Sequence, residues 1–235
     1  MDFNIQIHGV INIFGLQFLI TDTTVSTWII GGVLILFALV VRIKSRNFKE
    51  VPTGLQNVIE TVVEAFENYL HTTVGGKLMF LGNWFFTVFV FILLSNISGM
   101  FGLRPPTADW ATTVGLAVVS FILIQVIGIK FRGGEYLTSF IKPYYLSWLF
   151  LPINLIGEIA RPISLSFRLF GNILAGTVMM TLVYSLMPWF LQIGLPAGLH
   201  GFFDLFAGVL QTYIFVTLSL SFIKGAAAVD ESPTA

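Results

Sequence analysis

Charged side chains are scarce in this sequence. Only 10% of its 235 residues are Asp, Glu, Lys or Arg, and 56% are hydrophobic, whereas an ordinary soluble domain carries about a quarter charged residues. Acidic and basic residues number 12 each, so no net field attracts nucleic acid. The composition predicts an integral membrane protein that has the lipid bilayer as its solvent and no nucleic-acid partner.

Cysteine is absent as well, which excludes disulfides, thiolate metal sites and a cysteine nucleophile. The phosphate-binding pattern G-x-x-x-x-G-K-[ST] does not occur. We therefore expect no direct nucleotide binding, no metal and no cofactor, and no catalysis by this chain alone. The first 22 residues contain Asp2 and Asp22 but no Lys or Arg. They lack the basic start of a cleavable signal peptide, so we expect the N-terminus to be retained.

Long runs without charge locate the membrane spans, because a spanning helix needs roughly 20 apolar residues at about 1.5 Å rise each. Single spans are predicted at residues 23–41, 78–103, 110–129 and 198–224. A further segment, 143–187, is too long for one upright span. We expect a long tilted helix there, with Pro152 and Pro162 as candidate points of irregularity. The predicted fold is all-α, a single membrane domain with five spanning helices, the last two forming a long tilted hairpin.

Basic residues in the loops indicate the orientation of the spans. They follow the first, third and last spans, at Arg42, Lys44, Arg46, Lys49, Lys130, Arg132, Lys142 and Lys224. By the positive-inside rule, residues 1–22 form an external N-terminal segment and the C-terminus is cytoplasmic.

Residues 53–72 differ from the spans because they mix apolar and acidic positions. Apolar residues recur at helical spacing at Leu55, Val58, Ile59, Val62, Phe66 and Leu70, with Glu60, Glu64 and Glu67 between them. This pattern predicts an amphipathic helix that Pro52 and Thr53 begin. It either lies on the cytoplasmic membrane face or serves as the docking surface of a partner.

Two arginines interrupt the long apolar segment in the stretch RPISLSFRLFGN, residues 161–172. An arginine at the bilayer centre costs at least about 2.5 kcal/mol and does not escape by losing its proton. Glu158 can pair with Arg161, three residues on, but Arg168 has no such neighbour. The simplest alternatives are that Arg168 pairs with Asp204 or reaches the headgroups. Against the second, no charged residue occurs in the next 35 positions, and about 20 suffice to cross the membrane.

The last span carries polar residues on one face, which indicates that this face lines a protein interior. If the span folds back against the long helix, the two helices are antiparallel with equal rise per residue. Two residues at the same depth then have numbers that add to about 380. Arg168 is then level with Gln211. Thr177 is level with Asp204, about 10 Å nearer the external side.

The resulting arrangement is asymmetric. Asp204, with His200 one turn before it, lies towards the outside, Arg168 at mid-depth, and Glu158 towards the inside. A permanent cation between two titratable stations repels a passing proton or sodium ion and attracts an ionised carboxylate. This predicts two separate half-paths for a cation, and it requires a partner subunit to supply the mobile carboxylate. Glu158 either lines the inner half-path or only neutralises Arg161.

The stretches RPISLSFRLFGNILAG (161–176) and LQTYIFVTLSLSFI (210–223) resemble the paired final helices of subunit a, or subunit 6, of bacterial rotary ATP synthases. PTAD at 106–109, PTGLQN at 52–57 and the five-span plan extend the resemblance over nearly the whole chain. The resemblance implies a non-catalytic stator subunit in the bacterial plasma membrane. Its implied partners are a ring of proteolipid subunits, each with an essential carboxylate, and a peripheral stalk subunit.

The family resemblance also implies residue roles. Arg168 matches the essential arginine, which engages the ring carboxylate and prevents leakage between two offset half-channels. Asn172 matches the asparagine that neighbours the essential arginine in the family. Gln211 matches the polar residue that faces this arginine from the last helix. The implied function is to couple proton flow, or alternatively sodium flow, to ATP synthesis.

Two positions depart from the family pattern. Many members have Glu where Thr177 stands, and enterobacterial relatives have His where this chain has Asp204. Our hypothesis is that Asp204, with His200, replaces that group as the protonatable station of the external path. The alternative is that Asp204 only caps a polar helix end.

Other classes of function fit less well. A secondary transporter with a polar site at mid-membrane is the main alternative, but it would be expected to show internal repeats. A purely structural scaffold gives no reason for Arg168 to lack a carboxylate at its own depth. Asn96 and Ser98 interrupt the second span and either line an aqueous cavity or form hydrogen bonds between helices.

Overall fold

The computed structural model describes residues 7–13, 16–46, 48–49, 51–141, 147–186, 188 and 194–227. The regular elements of this described part are β1 (Ile7–Ile13), β2 (Leu16–Thr21), α1 (Asp22–Ser45), α2 (Leu55–Val74), α3 (Gly82–Ile97), α4 (Trp110–Arg132), α5 (Gly134–Ser139), α6 (Ser147–Leu186), α7 (Gly194–His200) and α8 (Gly208–Ala227). Short 3₁₀ turns occur at Gly76–Leu81, Ser98–Phe101 and Pro106–Ala108, and a π-helical segment at Gly201–Ala207.

Within the described residues, five helical segments are long and apolar enough to cross a membrane. They are Asp22–Ser45, Gly76–Phe101, Trp110–Arg132, Trp148–Leu186 and Pro196–Ala227. The predicted helical membrane fold with five spans is therefore confirmed. The predicted ends of the long segment at 143–146 and 187 lie outside the described residues.

The long helix α6 is continuous over 40 residues, and the helix runs through both Pro152 and Pro162. At about 1.5 Å per residue it is about 60 Å long, roughly twice the thickness of the hydrocarbon core. A helix of this length does not fit upright within the lipid, so a tilt remains our prediction.

Contacts divide the chain into two compact units. The first comprises Met1–Asn47, Phe89–Thr113 and Arg168–Tyr213. In it, β1 and β2 form an antiparallel hairpin within residues 1–22, for which the sequence predicts only an external segment. The hydroxyl of Thr23 donates to Oδ2 of Asp109 at 3.4 Å, and Asp109 Oδ1 accepts the backbone N–H of Ala111 at 3.1 Å. Asp109 therefore caps the start of α4 and contacts the start of α1.

The second unit comprises Phe48–Val88, Val114–Phe167 and Ile214–Ala235. Its core contains buried apolar side chains from five helices and a 3₁₀ turn, among them Leu70, Val74, Leu78, Phe85, Ile124, Leu165, Phe215, Leu220 and Ile223. The hydroxyls of Tyr69 and Thr217 lie 2.7 Å apart and join α2 to α8. The C-terminal half of α2 thus packs into this core.

The amphipathic helix begins two residues later than predicted, at Leu55. Gly54 precedes it with φ +60°, a left-handed conformation that glycine adopts without strain and that lies outside a helix. Leu70 is fully buried, whereas Leu55, Val58 and Val62 are 52%, 62% and 52% exposed. The chain therefore covers one end of the apolar stripe and leaves the other uncovered.

Candidate functional site: a polar cavity and an exposed arginine

A small cavity in the first unit gathers several residues that the sequence singles out. Its lining comprises Gly99, Pro105, Asn172, Ile173, Gly176, Thr177, Met180, His200, Phe203 and Asp204. The cavity has a volume of ≈ 20 Å³, measured as the space open to the centre of a water-sized sphere. By this measure about 10 to 15 Å³ is enough to hold one water molecule. Thr177 and Asp204 share this cavity, as the antiparallel register predicts.

Two further contacts fit the same register of the hairpin. In the first unit, a Cβ built on Gly176 would lie 3.2 Å from Cβ of Phe203, so α6 and the π-helical segment approach closely there. In the second unit, the guanidinium carbon of Arg161 lies 5.1 Å from the centroid of the Phe222 ring. The numbers of both pairs add to about 380, as they should for antiparallel helices of equal rise.

Asp204 forms a close pair with His200. Nδ1 of His200 lies 2.6 Å from Oδ2 of Asp204, and the two side chains are 28% and 18% exposed. Asp204 lies in the middle of the π-helical segment Gly201–Ala207, and no side-chain cap bond is formed at the start of that segment. The His200 pair gives Asp204 a side-chain contact at the cavity, so its role in the external path remains our hypothesis.

Arg168 has an exposed side chain on α6. It forms no ion pair or hydrogen bond with any residue that the structure describes, and the carboxylate of Asp204 pairs with His200 instead. The alternative in which Arg168 pairs with Asp204 is therefore wrong for this structure. Ala175, Met179 and Leu182 recur at helical spacing after Arg168 and are also exposed.

Two amide groups near this region lack partners. Nδ2 of Asn172 and Nε2 of Gln211 are both buried without a hydrogen-bond acceptor among the described atoms. Gln211 is only 7% exposed, and buried polar groups are almost always hydrogen-bonded in complete structures. Asn172 is one of the residues that line the cavity, whereas Gln211 is not among the lining residues described.

A second polar cluster surrounds Glu158 in the second unit. Oε1 of Glu158 pairs with Arg161 at 2.5 Å, and Oε2 accepts a hydrogen bond from Nε2 of Gln125 at 2.9 Å. The hydroxyl of Tyr136 donates to Oε1 of Gln125 at 3.0 Å. Both carboxylate oxygens of this buried side chain are thus occupied, which is what a stable buried carboxylate requires.

The Tyr136 ring packs against α4 at Gly128. The short helix α5 turns back after Gly133, and the Tyr136 ring lies so close to Gly128 that a Cβ there would be 2.6 Å from the ring. Burial raises the pKa of the Tyr136 phenol, and the charge of Glu158 raises it further. Neither Gln125 nor Tyr136 is a candidate from the sequence. The sequence signal for Gln125 is its position inside an apolar span. The signal for Tyr136 is Gly128, three residues after Gln125, where the ring packs against α4.

The two polar residues of the second span do not line the cavity described above. Asn96 is fully buried and hydrogen-bonded to α8, and Ser98 donates to the backbone carbonyl of Ser95 at 2.7 Å. Asn96 thus forms a hydrogen bond between helices, as its second alternative predicts, whereas the bond of Ser98 stays within its own span. In the part of the chain that is described, no cluster of His, Asp or Glu is placed to hold a metal ion.

Five apolar spans with titratable and cationic groups inside them define a multi-pass membrane protein with a polar site within the bilayer. Residues 24–224 match the family described as ATP synthase A chain. The chain is 36% identical over 231 residues to "ATP synthase subunit a, sodium ion specific" of Propionigenium modestum, covering 88% of this chain and 74% of that one. It is 35% identical over 210 residues to ATP synthase subunit a of Geobacter sulfurreducens, covering 87% and 86%.

A third relative, ATP synthase subunit a 2 of Syntrophotalea carbinolica, is 36% identical over 202 residues, covering 85% of this chain and 83% of that one. This chain therefore belongs to the ATP synthase A chain family, as a non-catalytic, ion-translocating membrane subunit of a bacterial ATP synthase. The recognition made from the FRLFGN stretch is confirmed.

Proposed function

We propose that this chain provides two offset half-paths that lead an ion to the carboxylates of a rotating proteolipid ring, with Arg168 as their electrostatic separator. The observation that carries the proposal is the exposed Arg168 side chain without an ion pair among the described residues. A guanidinium inside the lipid is stabilised by a carboxylate partner. Because no described residue of the chain supplies one, we propose that the ring carboxylate completes the pair.

The face of α6 around Arg168 suits a neighbouring helix. A Cβ at Gly171 meets nothing within 4 Å, and Ala175 is exposed one turn further on. Small residues let helices approach closely in a membrane. The spare amides of Asn172 and Gln211 offer hydrogen-bond donors near the same depth. We propose that these two residues assist Arg168 in orienting the ring carboxylate.

The cavity around Asp204 is our proposed external half-path. An imidazole that lies 2.6 Å from a carboxylate can pass a proton to it or take one from it. Thr177 contributes a hydroxyl at the cavity wall, although its own proton is donated to the carbonyl of Ile173. The pair favours a proton as the ion, because a sodium ion would find few oxygen ligands beside the imidazole. Sodium remains the alternative ion.

The contacts of Glu158 favour one of its two roles on the cytoplasmic side. Its two oxygens are bound by Arg161 and Gln125, which favours the role of Glu158 as the ion-pair partner of Arg161. We propose that it borders the inner half-path as a fixed anion and does not carry the ion itself. From the positive-inside rule we propose that the C-terminal end of α8, with Lys224, lies in the cytoplasm and the N-terminus outside.

The uncovered stripe of α2, formed by Leu55, Val58 and Val62, is proposed to lie on the cytoplasmic membrane face. The peripheral stalk subunit is the alternative occupant of this stripe.

Reconstitution tests the proposal as a whole. Vesicles that contain this chain alone are expected to conduct protons slowly, and addition of the proteolipid ring is expected to raise the rate at least tenfold. Vesicles with the ring alone serve as the control. Fast conduction by the chain alone would contradict the proposal and favour a secondary transporter.

A further inference from the structure

Asp204 lies in a helix of unusual geometry. Gly201–Ala207 is π-helical, between α7 and α8. A π-helix has i→i+5 hydrogen bonds, is rare, and occurs mostly as single turns inside α-helices at functional sites. A wider turn changes the direction in which each of its side chains points. Contacts from outside the helix must therefore hold this segment in place if Asp204 is to face the cavity.

Asn96 provides such a contact at the end of the segment. Its Nδ2 donates to the carbonyl oxygen of Gly208 at 3.0 Å and lies 3.4 Å from Oγ1 of Thr212. Its Oδ1 accepts a hydrogen bond from the hydroxyl of Thr107 at 2.9 Å. The side chain is 0% exposed. One amide thus connects α3, a 3₁₀ turn and the first residue after the π-helical segment.

Two glycines bring the backbones together at this contact. A Cβ on Gly208 would lie 2.9 Å from Cβ of Asn96, closer than real Cβ contacts come. Three residues further along the same span, in the 3₁₀ turn after α3, a Cβ on Gly99 would lie 3.1 Å from Oδ2 of Asp204. The same end of the second span therefore contacts the last span twice, at Gly208 and at Asp204.

We propose that Asn96 is a positioning residue for Asp204: its amide holds the junction between the π-helical segment and α8, so that the Asp204 carboxylate faces the cavity and pairs with His200. The inference rests on the proposed role of Asp204 in ion entry. Asn96 itself carries no ion, because its donor and its acceptor are both occupied and the described cavity lining does not include it.

Asparagine fits this role through its chemistry. An aspartate in its place would keep the acceptor for Thr107 but would turn a second acceptor towards the carbonyl of Gly208. A leucine has a similar volume and would remove both hydrogen bonds. A longer amide would not fit, because Gly208 already lies against the Cβ of Asn96.

The test uses assembled complexes with Asn96→Leu, with Thr107→Val as a milder variant that removes only the hydrogen bond behind Asn96. Ser98→Ala is the matched control, because it deletes a buried hydroxyl two residues away whose bond stays within its own span. The first readout is the pH profile of proton-driven ATP synthesis. We expect Asn96→Leu to lower the rate at least fivefold and to shift the profile by about half a pH unit or more. Thr107→Val should shift it less, and Ser98→Ala should not shift it.

The second readout does not depend on the role of Asp204. Because the chain has no cysteine, a Thr177→Cys background gives this subunit one thiol at the cavity wall. Its rate of reaction with a small methanethiosulfonate reagent is expected to change at least threefold when Asn96→Leu is added. If Asp204→Asn leaves synthesis intact while this rate still changes, the proposed ion path fails and the positioning of the segment stands.

Two results would overturn the positioning role of Asn96. One is an unchanged pH profile together with an unchanged thiol reaction rate in Asn96→Leu. The other is a lower rate of synthesis with both the profile and the thiol reaction as in Ser98→Ala, which would make Asn96 a purely structural residue.

Discussion

Nδ1 of His200 lies 2.6 Å from Oδ2 of Asp204, across the boundary between α7 and the π-helical segment. The pair lines the same cavity as Thr177, a residue of the facing helix α6. Because the imidazole occupies the carboxylate, Asp204 does not neutralise Arg168. The pairing of His200 with Asp204 is therefore consistent with both parts of the proposed function: a titratable pair at the cavity, and an Arg168 side chain without an ion pair among the described residues.

Asp204→Asn removes the titratable group from the cavity while keeping the side-chain volume. We expect proton-driven ATP synthesis by assembled complexes to fall about a hundredfold or more, since a positioned acid or base contributes at least about that factor to a proton-transfer step. Asp109→Asn is the matched control, because Asp109 caps α4 and does not line the cavity. Equal rates in the two variants would remove Asp204 from the ion path.

Gly128→Ala should destabilise the second unit, whereas Gly115→Ala on the same helix should not. A Cβ at Gly128 would lie 2.6 Å from the Tyr136 ring, and at Gly115 it meets nothing within 4 Å. We expect a loss of about 1 to 3 kcal/mol for the first, because the ring must move and its hydrogen bond to Gln125 breaks. The second should gain up to about 1 kcal/mol.

Thermal unfolding of the two glycine variants in detergent micelles provides the comparison. Similar midpoints for Gly128→Ala and Gly115→Ala would show that the Tyr136 ring is not fixed against α4.

Gly171→Leu tests the face of α6 beside Arg168. The position is open in the single chain, so the variant should fold and insert normally. In the assembled complex the added side chain should separate the two helices and reduce coupled ATP synthesis at least tenfold, because close approach in a membrane needs small residues. Gly32→Leu, at an exposed and equally open position of α1, is expected to keep most of the activity. A fully active Gly171→Leu complex would place the ring elsewhere.

Much of the fold can be predicted from the sequence, because every backbone polar group inside the lipid must find its hydrogen-bond partner within the protein. An α-helix satisfies all of its backbone hydrogen bonds within one segment, so charge-free runs long enough to cross the membrane as helices locate the spans directly. The register of the last two helices follows from their equal rise per residue, and it brings Thr177 and Asp204 to one cavity without any knowledge of side-chain packing.

Other features depend on contacts between distant residues and leave little trace in the sequence. Other elements approach the π-helical turn around Asp204 closely at Gly99, Gly176 and Gly208, and ordinary helical periodicity does not reveal this turn. The hydrogen bonds that join Tyr136, Gln125 and Glu158 require α5 to turn back on α4. The β-hairpin formed by β1 and β2 consists of short runs rich in Ile, Val and Phe, which favour strands. These runs are too short to form spanning helices, so the charge-free pattern that locates the spans does not reveal them.

The most direct test of the central claim is ion-driven ATP synthesis by assembled complexes that carry Arg168→Ala. A neutral side chain no longer attracts the ring carboxylate or separates the two half-paths. We expect coupled synthesis to be lost, while ATP hydrolysis by the detached catalytic head is unchanged. Coupled synthesis at the rate of the unmodified complex would contradict the role of Arg168 as the separator.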